Sequence, residues 1–159
     1  MAKAASPIPE GFSTVTPMVT IEDARKAIDW YVKALGAEEL PGTATHDGLI
    51  THAELQIGKS RVMVHDPMMD QKGVRGYGGS AVGLWMFVED CDAVFARAVD
   101  AGGKVKMPVG DQFWGDRCGT FIDPFGLSWS VATRKEDLSA KEIDKRQAEF
   151  FASQTAKVS

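Results

Sequence analysis

The pair Glu22 and Asp23 returns 67 residues later as Glu89 and Asp90, and at the same spacing Ile28 falls on Phe95, Val32 on Val99 and Gly36 on Gly103. Each acidic pair opens an amphipathic stretch. The first runs through Ala24, Ala27, Ile28, Tyr31, Val32 and Leu35, the second through Cys91, Val94, Phe95, Ala98 and Val99. Apolar residues at i, i+3, i+4 and i+7 form the stripe of a half-buried helix. Gly36, and Gly102 with Gly103, stand where left-handed C-terminal caps belong. The flanks repeat too. A strand over 14–21 precedes the first helix. An irregular strand over 38–47, broken at Pro41 and Gly42, follows it, then strands over 50–57 and 60–65 around a turn at Gly58 and Lys59. The second helix lies between strands over 81–88 and 104–107. A hairpin, 118–122 and 127–133, then turns at Asp123, Pro124, Phe125 and Gly126, where Pro presets one backbone angle and Gly relieves the reversal. A unit repeated once in this order implies two copies of a β-α-β-β-β module. The predicted fold is α+β, a curved sheet around a cleft. It divides into a flexible arm over 1–11, a first module over 12–66, a mobile crossing loop over 67–80, a second module over 81–134, and a C-terminal helix with tail over 135–159.

That last helix has its own start signal, Ser139 to Glu142 as a capping box with Leu138 and Ile143 as its hydrophobic staple. Ile143, Gln147, Phe150 and Phe151 give it a thin apolar edge that docks on the body or on a partner subunit.

Composition narrows the function classes. With 159 residues, 44% hydrophobic and 25% charged, the chain fits one soluble domain or two fused modules. A net charge of -4 without a basic run excludes a nucleic-acid partner, and slightly favours a cationic ligand. No apolar run approaches the ~18 residues of a membrane span. The first nine residues lack the apolar core of a signal peptide, so the expected location is cytoplasmic. Cys91 and Cys118 have no metal-site spacing and are expected as reduced thiols.

Strand parity nominates a site. Ala53, Leu55 and Ile57 form the apolar set of their strand, so His52, Glu54 and Gln56 face the open side. A two-residue turn at Gly58 and Lys59 sets Glu54 opposite Met63 and His52 opposite His65. In the second module the same logic turns Trp85 and Phe87 inward, with Phe121 and Ser130, and sets Arg117 at the rim. Phe113 and Trp114, on the loop before the hairpin, close over the opening. Asp111, Asp116 and Arg117 otherwise read as turn and surface charges, and Trp30 and Trp129 as core. No Ser/His/Asp order, GxSxG, P-loop or dinucleotide fingerprint is present, and no nucleophile can be nominated.

The stretches IEDARKAIDWYVKALGAEE and FWGDRCGTFIDPFGLSWSV resemble the first helix and closing hairpin of the vicinal oxygen chelate superfamily, which includes glyoxalase I, ring-cleaving dioxygenases and bleomycin-resistance proteins. The look is closest to its PhnB-like branch, over residues 12–134. The resemblance implies that metal-dependent members hold a divalent ion on four strand residues. Those places here are Thr16, Met63, Gly83 and Ser130, which form no ligand set for a transition metal. The expected cofactor is therefore none.

Three function classes stay open. One is a homodimer that sequesters a small aromatic or cationic molecule in a metal-free cleft. The second is an enzyme of the vicinal oxygen chelate type, with a non-standard metal or acid/base site at His52, Glu54 and His65. The third is a structural dimer with a vestigial cleft.

Overall fold

The computed structural model describes residues 4–156, with the backbone alone at 155 and 156. Expectations for residues 1–3 of the arm and 157–159 of the tail lie outside the described residues. The chain forms two compact units, Met1–Ala81 with Pro124–Gly126, and Val82–Asp123 with Leu127–Ser159.

The first unit contains β1 (Met18–Thr20), α1 (Ala24–Leu35), β2 (Glu38–Glu39), β3 (Ala44–His46), β4 (Leu49–Ile57) and β5 (Ser60–His65). The β4–β5 hairpin has the register its short turn demands, with Ile57 opposite Ser60 and Glu54 opposite Met63. β1 runs parallel to β5, Met18 beside Met63, and β2 and β3 pair antiparallel with β4. α1 packs on β4, β5 and β2. Its Ala24, Ala27, Ile28, Tyr31 and Leu35 are buried along with Ala53, Leu55, Val62 and Val64 of the hairpin. Alternation therefore delivers one apolar sheet face to the helix and leaves the other open.

Four local expectations change. The first strand shrinks to Met18–Thr20, and Val15 ahead of it is exposed. Val32, at the margin of the stripe, is 43% exposed, while Trp30 and Ala34 are buried. Asp23 does not cap α1, because its backbone is left-handed (φ 63°) and its side chain makes no cap hydrogen bond. Asp66 caps it from across the unit, its buried Oδ1 accepting the Ala24 N–H at 3.0 Å. Lastly, the crossing loop is tied down. The Glu22 carboxylate accepts the N–H groups of Arg75 and Gly76 at a short 3-10 turn (Arg75–Tyr77), and Val74 donates to the Thr20 carbonyl.

The second unit contains β6 (Gly83–Phe87), α2 (Cys91–Asp100), β7 (Lys104–Asp111), β8 (Asp116–Ile122), β9 (Ser128–Arg134) and α3 (Ala140–Ala156). Asp90 caps α2 through the Ala93 N–H. The sheet order β6-β9-β8-β7 copies β1-β5-β4-β2 of the first unit. Even the parallel register repeats, since Met63 lies 45 residues after its partner Met18 and Ser128 lies 45 after its partner Gly83.

The two hairpins differ in their turns. Gln56 and Arg61 flank four residues, 57–60, whereas the equivalent pair Ile122 and Ser128 flanks five, 123–127. The Asp123 carboxylate holds the longer turn, accepting the Leu127 N–H and the Trp129 Nε1–H, both at 2.9 Å. The extra residue slips β8 by one position against the repeat, and a one-residue slip moves every side chain to the opposite face.

α3 begins as its sequence requires, Ser139 Oγ accepting the Glu142 N–H at 3.2 Å. The Glu142 carboxylate takes Arg146 Nε instead of completing the capping box. Both cysteines are buried and free. Among the described residues no helix is long and apolar enough to cross a membrane.

Candidate functional site

On the open face of the first unit, His52 and Glu54 come from β4, while Arg61, Met63 and His65 come from β5 at alternate positions. His52 Nε2 lies 3.2 Å from Glu54 Oε1, and Glu54 Oε2 accepts from Arg61 Nη1 at 2.8 Å. Glu54 thus bridges an imidazole and a guanidinium. His65 has other partners. Its ring is buried, with Nδ1 2.8 Å from the Asp66 carbonyl and Nε2 3.1 Å from Thr20 Oγ1. Both nitrogens are engaged, because β1 pairs with β5 at Thr20 and His65. Sequence reasoning passed over Arg61, although it shares the alternation of Met63 and His65.

On the second unit, Gly83, Trp85 and Phe87 share one face of the edge strand β6 and are exposed, while Leu84 and Met86 are half-buried. The Trp85 and Phe87 rings lie 6.1 Å apart, with 48% and 62% of their surface open. Trp85 pairs with Ser130 on β9, and Ser130 Oγ is 2.8 Å from Thr120 Oγ1. Phe121 is a correction. Predicted beside Ser130, it pairs with Trp129, is fully buried, and meets Phe95 of α2 edge-on at 5.9 Å. The extra residue in the turn has moved it to the helix side and put Thr120 in its place.

Phe113 and Trp114 were expected to close over an opening. Phe113 packs instead against α3 of its own unit, 5.5 Å from Phe150, and Trp114 meets Phe113 edge-on at 4.9 Å. The apolar edge of α3 needs a counterpart, and this aromatic loop supplies it. Asp116 is no surface charge either. It is buried, and its carboxylate accepts the Trp114 Nε1–H at 3.0 Å.

Arg117 grips Asp92 through Nε (2.7 Å) and Nη2 (2.8 Å), and Asp111 through Nη1 (3.1 Å). The Arg117 hydrogen bonds hold the Asp92 carboxyl below its usual range, and Asp92 with Asp111 raises the guanidinium pKa further. Burial first, then the Asp116 charge, pushes the Cys118 thiol up, so Cys118 is no ready nucleophile. A polar cavity of about 300 Å³ lies between Gln112, Gly115, Arg117 and Lys135. Asp111, Asp116 and the rim residue Arg117 line it too, none of the other nominated residues does, and the Arg117 donors there are already paired.

The metal that the resemblance implies does not fit. The paired positions on β1 with β5 and on β6 with β9 carry Met18 beside Met63 and Trp85 beside Ser130. Thr16 lies ahead of β1, and Gly83 pairs with Ser128. Thioethers, an indole and hydroxyls make no donor set for a first-row divalent ion. Among the described residues no three or more His, Cys, Asp or Glu are grouped to hold a metal. His52, Glu54 and His65 therefore do not form the displaced site that their spacing left open.

The family model described as Glyoxalase/Bleomycin resistance protein/Dioxygenase superfamily matches residues 13–131. An uncharacterized protein of Mycobacterium bovis is 38% identical over 134 residues, 81% of this chain and 88% of that protein. The crystal structure of TioX from a Micromonospora species is similar at 26% identity and a TM-score of 0.62, covering 80% of this chain and 100% of that one. A PhnB protein from Bacillus cereus shares the fold, at 20% identity and a TM-score of 0.61 over 76% of this chain and 99% of that one.

Proposed function

The chain belongs to the glyoxalase/bleomycin resistance protein/dioxygenase superfamily, and from that premise we propose that it binds or sequesters a small planar, aromatic or cationic molecule without a metal. The observation that carries this reading is the exposed pair Trp85 and Phe87, side by side on the face that also presents Ser130. Aromatic faces exposed together are unusual on a solvated surface. They stack on flat ligands and attract cations through the ring quadrupole. The family's fold hosts many chemistries, so the site carries the argument and the fold does not. We place the chain in the PhnB-like branch and propose a cytoplasmic homodimer, since β1 and β6 are edge strands that pairing would cover.

Proflavine, a planar aromatic cation, is the probe. Titrated against the purified protein and followed by its own fluorescence, it is expected to bind. Trp85→Ala and Phe87→Ala should each weaken binding about tenfold, the equivalent of one desolvated cation–π or stacking contact. No binding at millimolar probe, or binding by both variants that matches wild type, refutes the reading. Light scattering that gives a monomer mass refutes the dimer alone.

A second reading, acid/base catalysis, rests on the 3.2 Å contact of His52 with Glu54. An imidazole oriented by a carboxylate is a competent general base. It ranks second because Arg61 also claims Glu54.

A further inference from the structure

We infer that Arg61 is a carboxylate-binding site of the first unit, covered by residues 9–12, and that a small aromatic carboxylate displaces this cover. Arg61 Nη1 donates to Glu54 Oε2 at 2.8 Å. Its Nε is buried without any hydrogen-bond partner, and Nη2 makes no hydrogen bond among the described residues. A buried donor left unmade is rare and costly, most of all on a cation. The same protein shows what such an arginine takes when it is complete. Arg117 gives Nη1 to one carboxylate, Asp111, and the fork of Nε and Nη2 to a second, Asp92, at 2.7 and 2.8 Å. Arg61 has the first of these and lacks the second. Guanidinium forks match carboxylates in geometry and charge.

What covers the fork leaves Nε without an acceptor. The Phe12 ring lies 4.6 Å from the guanidinium carbon, and Gly11 presses on it so closely that a Cβ there would sit 2.5 Å from Nη2. Gly11 also has φ +81°, a backbone that L side chains rarely adopt. A bond from the Phe12 N–H to the Pro9 carbonyl (3.3 Å) closes this short strap. The strap gives the cation a ring face and nothing for Nε. An aromatic carboxylate offers both, a ring to replace Phe12 and two oxygens for the fork. The Glu54 charge does not forbid a second carboxylate, since it is shared between Arg61 and His52, and Arg117 carries two. All the groups lie in the first unit, so the inference is independent of the Trp85 and Phe87 reading.

Benzoate, with benzamide as its neutral isostere, tests it by isothermal titration calorimetry. Wild type is expected to bind benzoate and not benzamide. Phe12→Ala should bind benzoate several-fold tighter, because the strap no longer competes. Arg61→Lys keeps a charge for Glu54 but has no fork, and should lose about tenfold or more. The inference is overturned if benzamide matches benzoate, if Arg61→Lys binds like wild type, or if Phe12→Ala gains nothing. Absence of binding to both wild type and Phe12→Ala overturns it too. Circular dichroism checks that Arg61→Lys is folded; if it is not, the Phe12→Ala and benzamide comparisons decide alone.

Discussion

Replacing Asp66 by alanine should unfold the first unit at a markedly lower temperature. Its buried carboxylate accepts two backbone N–H groups, Ala24 at 3.0 Å and Ile50 at 2.7 Å, while its own N–H donates to the Ile50 carbonyl at 2.8 Å. One side chain thus caps α1 and fixes the strand β4 beneath it. Hydrogen bonds to a charged group contribute about 1.5–3 kcal/mol each, and loss of a helix cap alone costs about 0.5–2 kcal/mol. Taking low values for both bonds, Asp66→Ala is expected to cost about 3–4 kcal/mol. At about 2–4 °C per kcal/mol for a chain of this size, the melting temperature falls by roughly 10 °C. Asp66→Asn keeps the shape but turns an amide NH₂ toward one of the two N–H groups, at about 1–3 kcal/mol. The internal control is Asp23→Ala. Asp23 sits where a cap belongs but makes no cap bond; alanine there loses only the exposed contacts to Lys26 and Arg75 and takes on the left-handed backbone (φ 63°) that Asp tolerates better, about 1 kcal/mol in all. Urea and thermal unfolding followed by circular dichroism measure all three. Asp66→Ala within about 1 kcal/mol of wild type, or Asp23→Ala costing as much as Asp66→Ala, refutes the reasoning.

Two further expectations concern charge and space. Arg25 holds Glu39 at 2.7 and 2.9 Å; these bonds, opposed by partial burial and helped by Thr43, keep its carboxyl below the ordinary 4.5. A carboxyl lowered by folding gives stability that is full above its unfolded value and fades as pH falls through its folded one. The advantage of wild type over Glu39→Gln in urea unfolding is therefore expected to be constant at neutral pH and to shrink from about pH 5 to about pH 3; growth on acidification contradicts it. Gly119→Ala would place a methyl 2.8 Å from Phe95 and Val109 side-chain atoms and should cost about 1–3 kcal/mol by overpacking. At Gly83, where the nearest atom is 3.6 Å away, alanine should change stability by less than about 1 kcal/mol, and the reverse order in a melting comparison counts against this packing.

Residues close in sequence decided much of this molecule. Periodicity and an end signal suffice for α1 up to Gly36, and for the open face of β6, because a helix or strand selects its buried side by spacing alone. The turn at Gly58 and Lys59 set the β4–β5 register for the same reason. The 67-residue repeat carried these local readings into a pair of modules with one strand order. Other assignments needed the folded chain. Asp66, not Asp23, caps α1, because the cap goes to whichever carboxylate the fold brings to the helix end, here one 42 residues away. One residue added between Ile122 and Ser128 reversed Phe121 and Thr120, and no pattern within β8 records the length of a turn outside it. Phe113 and Trp114 were legible as an aromatic loop, but the ring that Phe113 meets, Phe150 of α3, lies more than thirty residues on. Arg61 shares its alternation with Met63, so its face could be read; the missing acceptor at Nε could not, because satisfaction of a buried donor is a property of everything packed around it.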